Sequence, residues 1–83
     1  MTYFVYLLGN YKDKKLITYV GYTNNLRKRL TLHNRGKGAK FTRGKNWKLI
    51  YHEKYQTRKE AILREIYLKK NRKLRNFIKN KYK

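Results

Sequence analysis

"TYFVYLLGNYKDKKLITYVGY", residues 2–22, decides how this chain is read. Two runs rich in β-branched and aromatic residues, Thr2 to Leu8 and Leu16 to Tyr22, lack a helical period and flank the turn-like "GNYKDKK". They predict an antiparallel hairpin. With a loop over roughly residues 9–15, Leu8 pairs near Leu16 or Ile17, and Tyr6 comes close to Tyr19 across the ladder.

Beyond the hairpin, "TNNLRKRLTLHN" (Thr23 to Asn34) offers Thr and Asn as N-caps, then Leu26, Leu30 and His33 on one face, with Gly36 as the stop. This predicts a helix of about three turns. Arg29 and His33 are four apart and therefore share a face. The stretch Arg35 to Lys45 has glycines and basic residues without period and reads as a loop, from which Lys37, Lys40, Arg43 and Lys45 can reach phosphates. "WKLIYHEKY" (Trp47 to Tyr55) reads as a third strand. In "TRKE", Thr57 and Glu60 form a capping box that opens a helix carrying Ile62, Leu63, Ile66 and Tyr67. Leu74, Phe77 and Ile78 then predict a short basic helix or tail over residues 71–83. No repeat, proline or linker interrupts the chain, so one domain over residues 1–83 is expected.

A chain of this length buries only about 60–65% of its extended surface, so its core must be compact. No cysteine is present to staple it, and two histidines make a poor zinc cage. Nine tyrosines, three phenylalanines and a tryptophan within 40% hydrophobic residues are too many for a disordered chain. The net charge of +20, from 24 basic and four acidic residues, repels itself unless a polyanion screens it. Nucleic acid is therefore the expected partner, DNA ahead of RNA. Binding to a membrane surface would need a long amphipathic helix or a lipid anchor, and neither is evident. The opening "MTYFVYLLG" has no basic n-region and is too short to span, so a cytoplasmic protein is expected, on the nucleoid if it binds DNA.

Few residues carry candidate chemistry. "GAKFTRGKN" falls short of a phosphate-binding Walker loop, because its glycine spacing is one residue too long and Asn46 replaces the hydroxyl. His33 and His52 are candidate bases, and the spacing to Arg29 favours His33. Glu65 sits among apolar neighbours at Ala61, Ile62 and Leu68, so its carboxylate must find a cation or a donor. Two readings stand: an ion pair with Arg64, Lys69 or another element, or a metal ligand.

Taken in order, "FVY" (Phe4 to Tyr6), "YVG" (Tyr19 to Gly21), Arg29 eight residues further, "LHNRGKGAKFTRG" and the "REIYLKK" segment with Glu65 resemble the GIY-YIG nucleases. The likeness spans roughly residues 3–75 and is greatest to the small stand-alone bacterial and archaeal branch. Phe4 and Val5 depart from the Gly and Ile of the first half-motif.

That resemblance implies an α+β fold, a three-stranded antiparallel sheet flanked by helices, and metal-dependent hydrolysis of phosphodiesters in repair or recombination. It implies that Glu65 holds one Mg²⁺ or Mn²⁺, that Arg29 contacts the scissile phosphate, that Tyr6 is the favoured base and that Tyr19 lines the site. Gly21 would allow close approach, and His33 would assist. An arginine fork suits phosphate better than a lysine does, and the remaining carboxylates, Asp13 in a turn, Glu53 in a strand and Glu60 in a cap, do not converge as a two-metal site requires. Tyrosine, with a pKa near 10, is a weak base at neutral pH, and a cationic field is expected to ease its ionisation. The competing expectation is a non-catalytic nucleic-acid-binding module on the same scaffold, using the loop cations and Arg64. On either reading, specificity has to come from DNA shape, a partner protein or an oligomer, or be low.

Overall fold

The computed structural model describes residues 1–82. In chain order the elements are β1 (Tyr3–Lys12), β2 (Lys15–Thr23), α1 (Leu26–Asn34), β3 (Lys48–Tyr55), α2 (Arg58–Lys70) and α3 (Arg72–Tyr82). The strands form one antiparallel sheet in the order β2-β1-β3, so the α+β class and the three-stranded sheet are as expected. β1 is central and covered on both faces: Val5 to Gly9 are buried without a break.

The hairpin is tighter than expected. Instead of a loop over residues 9–15, the strands run on to Lys12 and Lys15, and only Asp13 and Lys14 turn the chain, at φ 52° and 67°. Two left-handed residues match the right-handed twist of the flanking strands. The register moves with the turn: Tyr6 lies opposite Gly21, and Leu8, not Tyr6, lies opposite Tyr19.

Alternation along β1 divides the core. On one face Tyr6 and Leu8 join Trp47, with Ile17, Tyr19, Leu26, Leu30 and Leu49 around them, under α1. On the other, Val5, Leu7 and Val20 meet Ala61 and Leu68 of α2 and Ile78 of α3. A β-bulge where Leu7 faces Tyr51 and Leu8 faces Leu49 lets both Ile50 and Tyr51 pack on the α2–α3 side.

The helix boundaries follow their caps. Asn25 Oδ1 accepts from Lys28 N at 3.0 Å, and Gly36, at φ 76°, lies just past the end of α1. Thr57 and Glu60 form the capping box, Thr57 Oγ1 accepting from Glu60 N at 3.2 Å. The buried positions of α2 are Ala61 and Leu68; of the apolar set expected there, Leu63, Ile66 and Tyr67 are exposed. Small Ala61 allows close approach to the sheet, which narrows the buried stripe. Among the described residues no helix is long and apolar enough to cross a membrane.

Candidate active site

Tyr6 sits at the middle of the central strand, where both neighbours fix its backbone, and its ring points toward α1. Gly21, directly across the ladder, makes room for it: a Cβ there would land on the Tyr6 hydroxyl and ring. The glycine of the second half-motif thus creates space for the phenol, a different role from admitting substrate.

The Tyr6 hydroxyl lies 2.8 Å from His33 Nε2, and His33 Nδ1 lies 2.9 Å from Thr42 Oγ1. Counting protons sets the direction of this chain. Thr42 donates its only hydroxyl proton to the Ala39 carbonyl at 3.0 Å, so its oxygen must accept from His33 Nδ1–H. Neutral His33 then has a bare Nε2, and Tyr6 donates into it. Burial, aided by the Arg29 guanidinium, lowers the His33 pKa from 6.5 and favours that neutral form. His33 and Thr42 are both fully buried.

Three features of the basic loop and its flanks hold the imidazole. A Cβ at Gly38 would overlap the His33 ring, so only glycine fits there. Trp47 Nε1 donates to the Thr42 carbonyl at 3.0 Å. Asn34 clamps the Trp47 backbone twice, donating to its carbonyl at 3.1 Å and accepting from its N–H at 2.6 Å. Thr42, Gly38 and Asn34 went unnoticed in the sequence; within a glycine-rich basic stretch nothing distinguishes a load on a side chain from a solvated loop.

Tyr19 packs its ring 5.1 Å from that of His33. Arg29 and Glu65 are near enough to act electrostatically on the Tyr6 phenol. Burial pushes that phenol up to about 12, and Arg29 only partly offsets it. The expectation that cationic surroundings would ease ionisation is therefore reversed: desolvation wins. Among the described residues, buried Arg29 Nε has no hydrogen-bond partner and is a donor ready for an anion. Beside it a recess of about 250 Å³ is lined by Tyr3, Tyr22, Asn24, Arg29 and Arg58.

Glu65, on α2, has a side chain only 16% exposed, and among the described residues its one ion pair is to Lys69 at a long 3.7 Å. Among the described residues no group of three or more His, Cys, Asp or Glu side chains is placed to hold a metal ion. A single hard carboxylate of this kind fits an ion such as Mg²⁺, which keeps most of its waters.

Tyr6, Tyr19, Arg29, His33 and Glu65 are thus brought together. His52 is not among them: it lies exposed on β3, edge-on to Phe4 at 5.9 Å. Lys37, Lys40 and Arg43 are exposed on the loop, and Lys45 folds back to donate to the Phe41 carbonyl at 3.1 Å. Arg64, expected to meet nucleic acid, commits Nε and Nη2 to Glu53 at 2.8 and 2.9 Å.

A three-stranded sheet that gathers a strand tyrosine, a helical arginine and histidine and a second-helix glutamate is the frame of the GIY-YIG class. The model of the GIY-YIG catalytic domain matches residues 2–83, and the chain belongs to that family, a superfamily of nucleases acting on nucleic acid. It is 50% identical over 68 residues to a UPF0213 protein of Clostridium perfringens, covering 81% of this chain and 70% of that one. It is 55% identical over 53 residues to a UPF0213 protein of Bacillus licheniformis, covering 63% of this chain and 55% of that one, little more than half the relative's length. The solution NMR structure of a UPF0213 protein from Bacillus halodurans superposes with a TM-score of 0.52 at 32% identity, covering 96% of this chain and 84% of that one.

Proposed function

We propose that this protein is a metal-dependent nuclease that hydrolyses phosphodiesters within DNA in preference to RNA. The observation that carries this reading is the one-directional hydrogen-bond chain from Tyr6 through His33 and Thr42 to the Ala39 carbonyl, beside Arg29 and Glu65.

The chain resolves how a phenol pushed up to about 12 can serve as a base. Tyr6 need not exist as phenolate. As water attacks phosphorus, its proton passes to the Tyr6 oxygen while the phenolic proton moves to His33 Nε2. The bond from phosphorus to the leaving oxygen breaks, and that oxygen takes a proton from solvent. Arg29 presents a planar fork to the non-bridging oxygens, where negative charge grows. Glu65 is the residue that would hold Mg²⁺ or Mn²⁺, which when bound supplies Lewis-acid stabilisation of that charge. Tyr19 braces the imidazole. Lys37, Lys40 and Arg43 bind the backbone of the nucleic acid.

A second reading, a binding module without turnover, draws on the net charge of +20 and on the Glu65–Lys69 pair, which gives the carboxylate a cation without a metal. Incubating the protein with labelled single-stranded, duplex and branched DNA and matching RNA, in Mg²⁺, Mn²⁺ or EDTA, separates the two. Cutting that needs metal and disappears in Glu65→Gln is expected. Steeply salt-dependent binding without cutting under every condition would transfer the case to the binding module.

A further inference from the structure

Phe41 is a large apolar side chain, 51% exposed, in a loop whose adjoining Thr42 and nearby Trp47 are buried at 0% and 3%. Looseness does not explain its position. Thr42 N donates to the Ala39 carbonyl at 3.2 Å, Trp47 Nε1 to the Thr42 carbonyl, and Lys45 Nζ to the carbonyl of Phe41 itself at 3.1 Å. The loop is tied on both sides of the residue, and the ring is held out. One side of the ring packs against Trp47 and Tyr19, with centroids 6.1 Å away in each case, while the half of its surface left in solvent gains nothing from the core.

Its surroundings point to a ligand. The Phe41 ring lies nearly parallel to that of Tyr19, at 19° with centroids 6.1 Å apart, and Tyr19 is in turn 5.1 Å from the His33 ring that takes the proton of Tyr6. The exposed ring is therefore one aromatic removed from the reacting centre. Lys45 Nζ stands 5.2 Å from its centroid, and exposed Lys40 and Arg43 lie close by in the loop. A flat apolar face ringed by cations complements a nucleotide, the base on the ring and the phosphate on the ammonium groups. A base inside a duplex has both faces covered and cannot use such a platform.

We propose that Phe41 is a nucleobase-stacking residue, and that the substrate presents, beside the phosphate facing Arg29, a nucleotide that has left its stack. This deepens the nuclease reading and rests on it for the position of the cut, while the stacking itself is measured without cleavage. Lys45, whose ammonium is held beside the ring by its bond to the Phe41 carbonyl, is placed to meet the phosphate of the stacked nucleotide.

The test uses Glu65→Gln protein, so that binding is read without cutting, and single-stranded DNA with one 2-aminopurine, whose fluorescence is quenched when it stacks on an aromatic ring. Quenching is expected with Phe41 in place, persisting in Phe41→Trp and lost in both Phe41→Ala and Phe41→Leu, with affinity falling about tenfold in the last two. Leucine keeps the apolar bulk, so it separates stacking from packing, and melting curves establish that each variant is folded. Equal quenching in Phe41→Leu, or none by any protein, overturns the proposal. Quenching by the Glu65→Gln protein together with no cutting by the unaltered protein under any metal condition removes the nuclease reading and leaves the platform standing.

Discussion

Glu53 and Glu65 are two of only four carboxylates in a chain of net charge +20, and they are treated in opposite ways. Glu53, on β3 facing α2, accepts from Arg64 through two nitrogens, from Tyr55 at 2.7 Å and from Tyr51. Burial pushes its carboxyl up, but Arg64 and the two phenols outweigh that and hold it below the usual carboxylate range. Glu65 is about as enclosed, with a side chain 16% exposed against 15% for Glu53, yet has one long ion pair. Equal burial with unequal satisfaction separates a carboxylate that holds structure from one with valence to spare.

Exchanging each glutamate for glutamine is the most direct way to break this contrast. Glu65→Gln is expected to lower cleavage by about a thousandfold, since it removes the only ligand proposed for the metal, while shifting stability by no more than about 0.5 kcal/mol. Glu53→Gln should do the reverse, leaving chemistry nearly intact and costing about 2 kcal/mol, read as a lower midpoint in denaturant melts. If both variants lost activity and stability together, the division of labour would be refuted.

Acid sharpens the comparison by a smaller amount. Folded His33 has a pKa below 6.5 and folded Glu53 below 4.5, so in each case the unfolded chain binds more protons and stability rises with pH. On acidification, stability is expected to fall first as the pH drops below about 6.5, through His33, and again below about 4.5, through Glu53. Urea melts across this range would show the upper step vanish in His33→Gln and the lower one in Glu53→Gln. Cleavage should weaken only at the acid end of the upper step, where folded His33 itself takes up a proton and has no lone pair left for the Tyr6 proton.

The smallest effect is expected from Lys69→Ala. A pair at 3.7 Å with a lysine side chain half exposed contributes less than about 0.5 kcal/mol, and melts should show no more. A large loss would mean that Glu65 is a structural residue after all.

What the sequence disclosed follows the range of the interactions involved. Caps and periods are local, so α1 with Asn25, α2 with its Thr57–Glu60 box, and the Arg29–His33 spacing were legible. The hairpin was legible in kind but not in register, because Asp13 and Lys14 turn the chain without the glycine that usually marks such a turn, and polar Asn10 to Lys12 gave no sign of staying in the strand. Long-range pairing was hidden. Nothing local says that Arg64 turns to Glu53, or that Thr42 reaches back to a histidine nine residues earlier, whereas the Glu65–Lys69 pair, four residues apart on one helix, was among the partners expected. The buried side of α2 was obscured too, since Leu63, Ile66 and Tyr67 look like core residues, yet the sheet accepts only Ala61 and Leu68 deeply.

The Ala39 carbonyl has no proton to give, and that one property orders the exchange from Thr42 through His33 to Tyr6. The instruction is written in the main chain, where any amino acid supplies the same atom. Position 39 is thus expected to be permissive in identity and strict in place: other small residues keep the polarity of the relay, whereas a loop lengthened by one residue there reverses or severs it while every reactive side chain is still present.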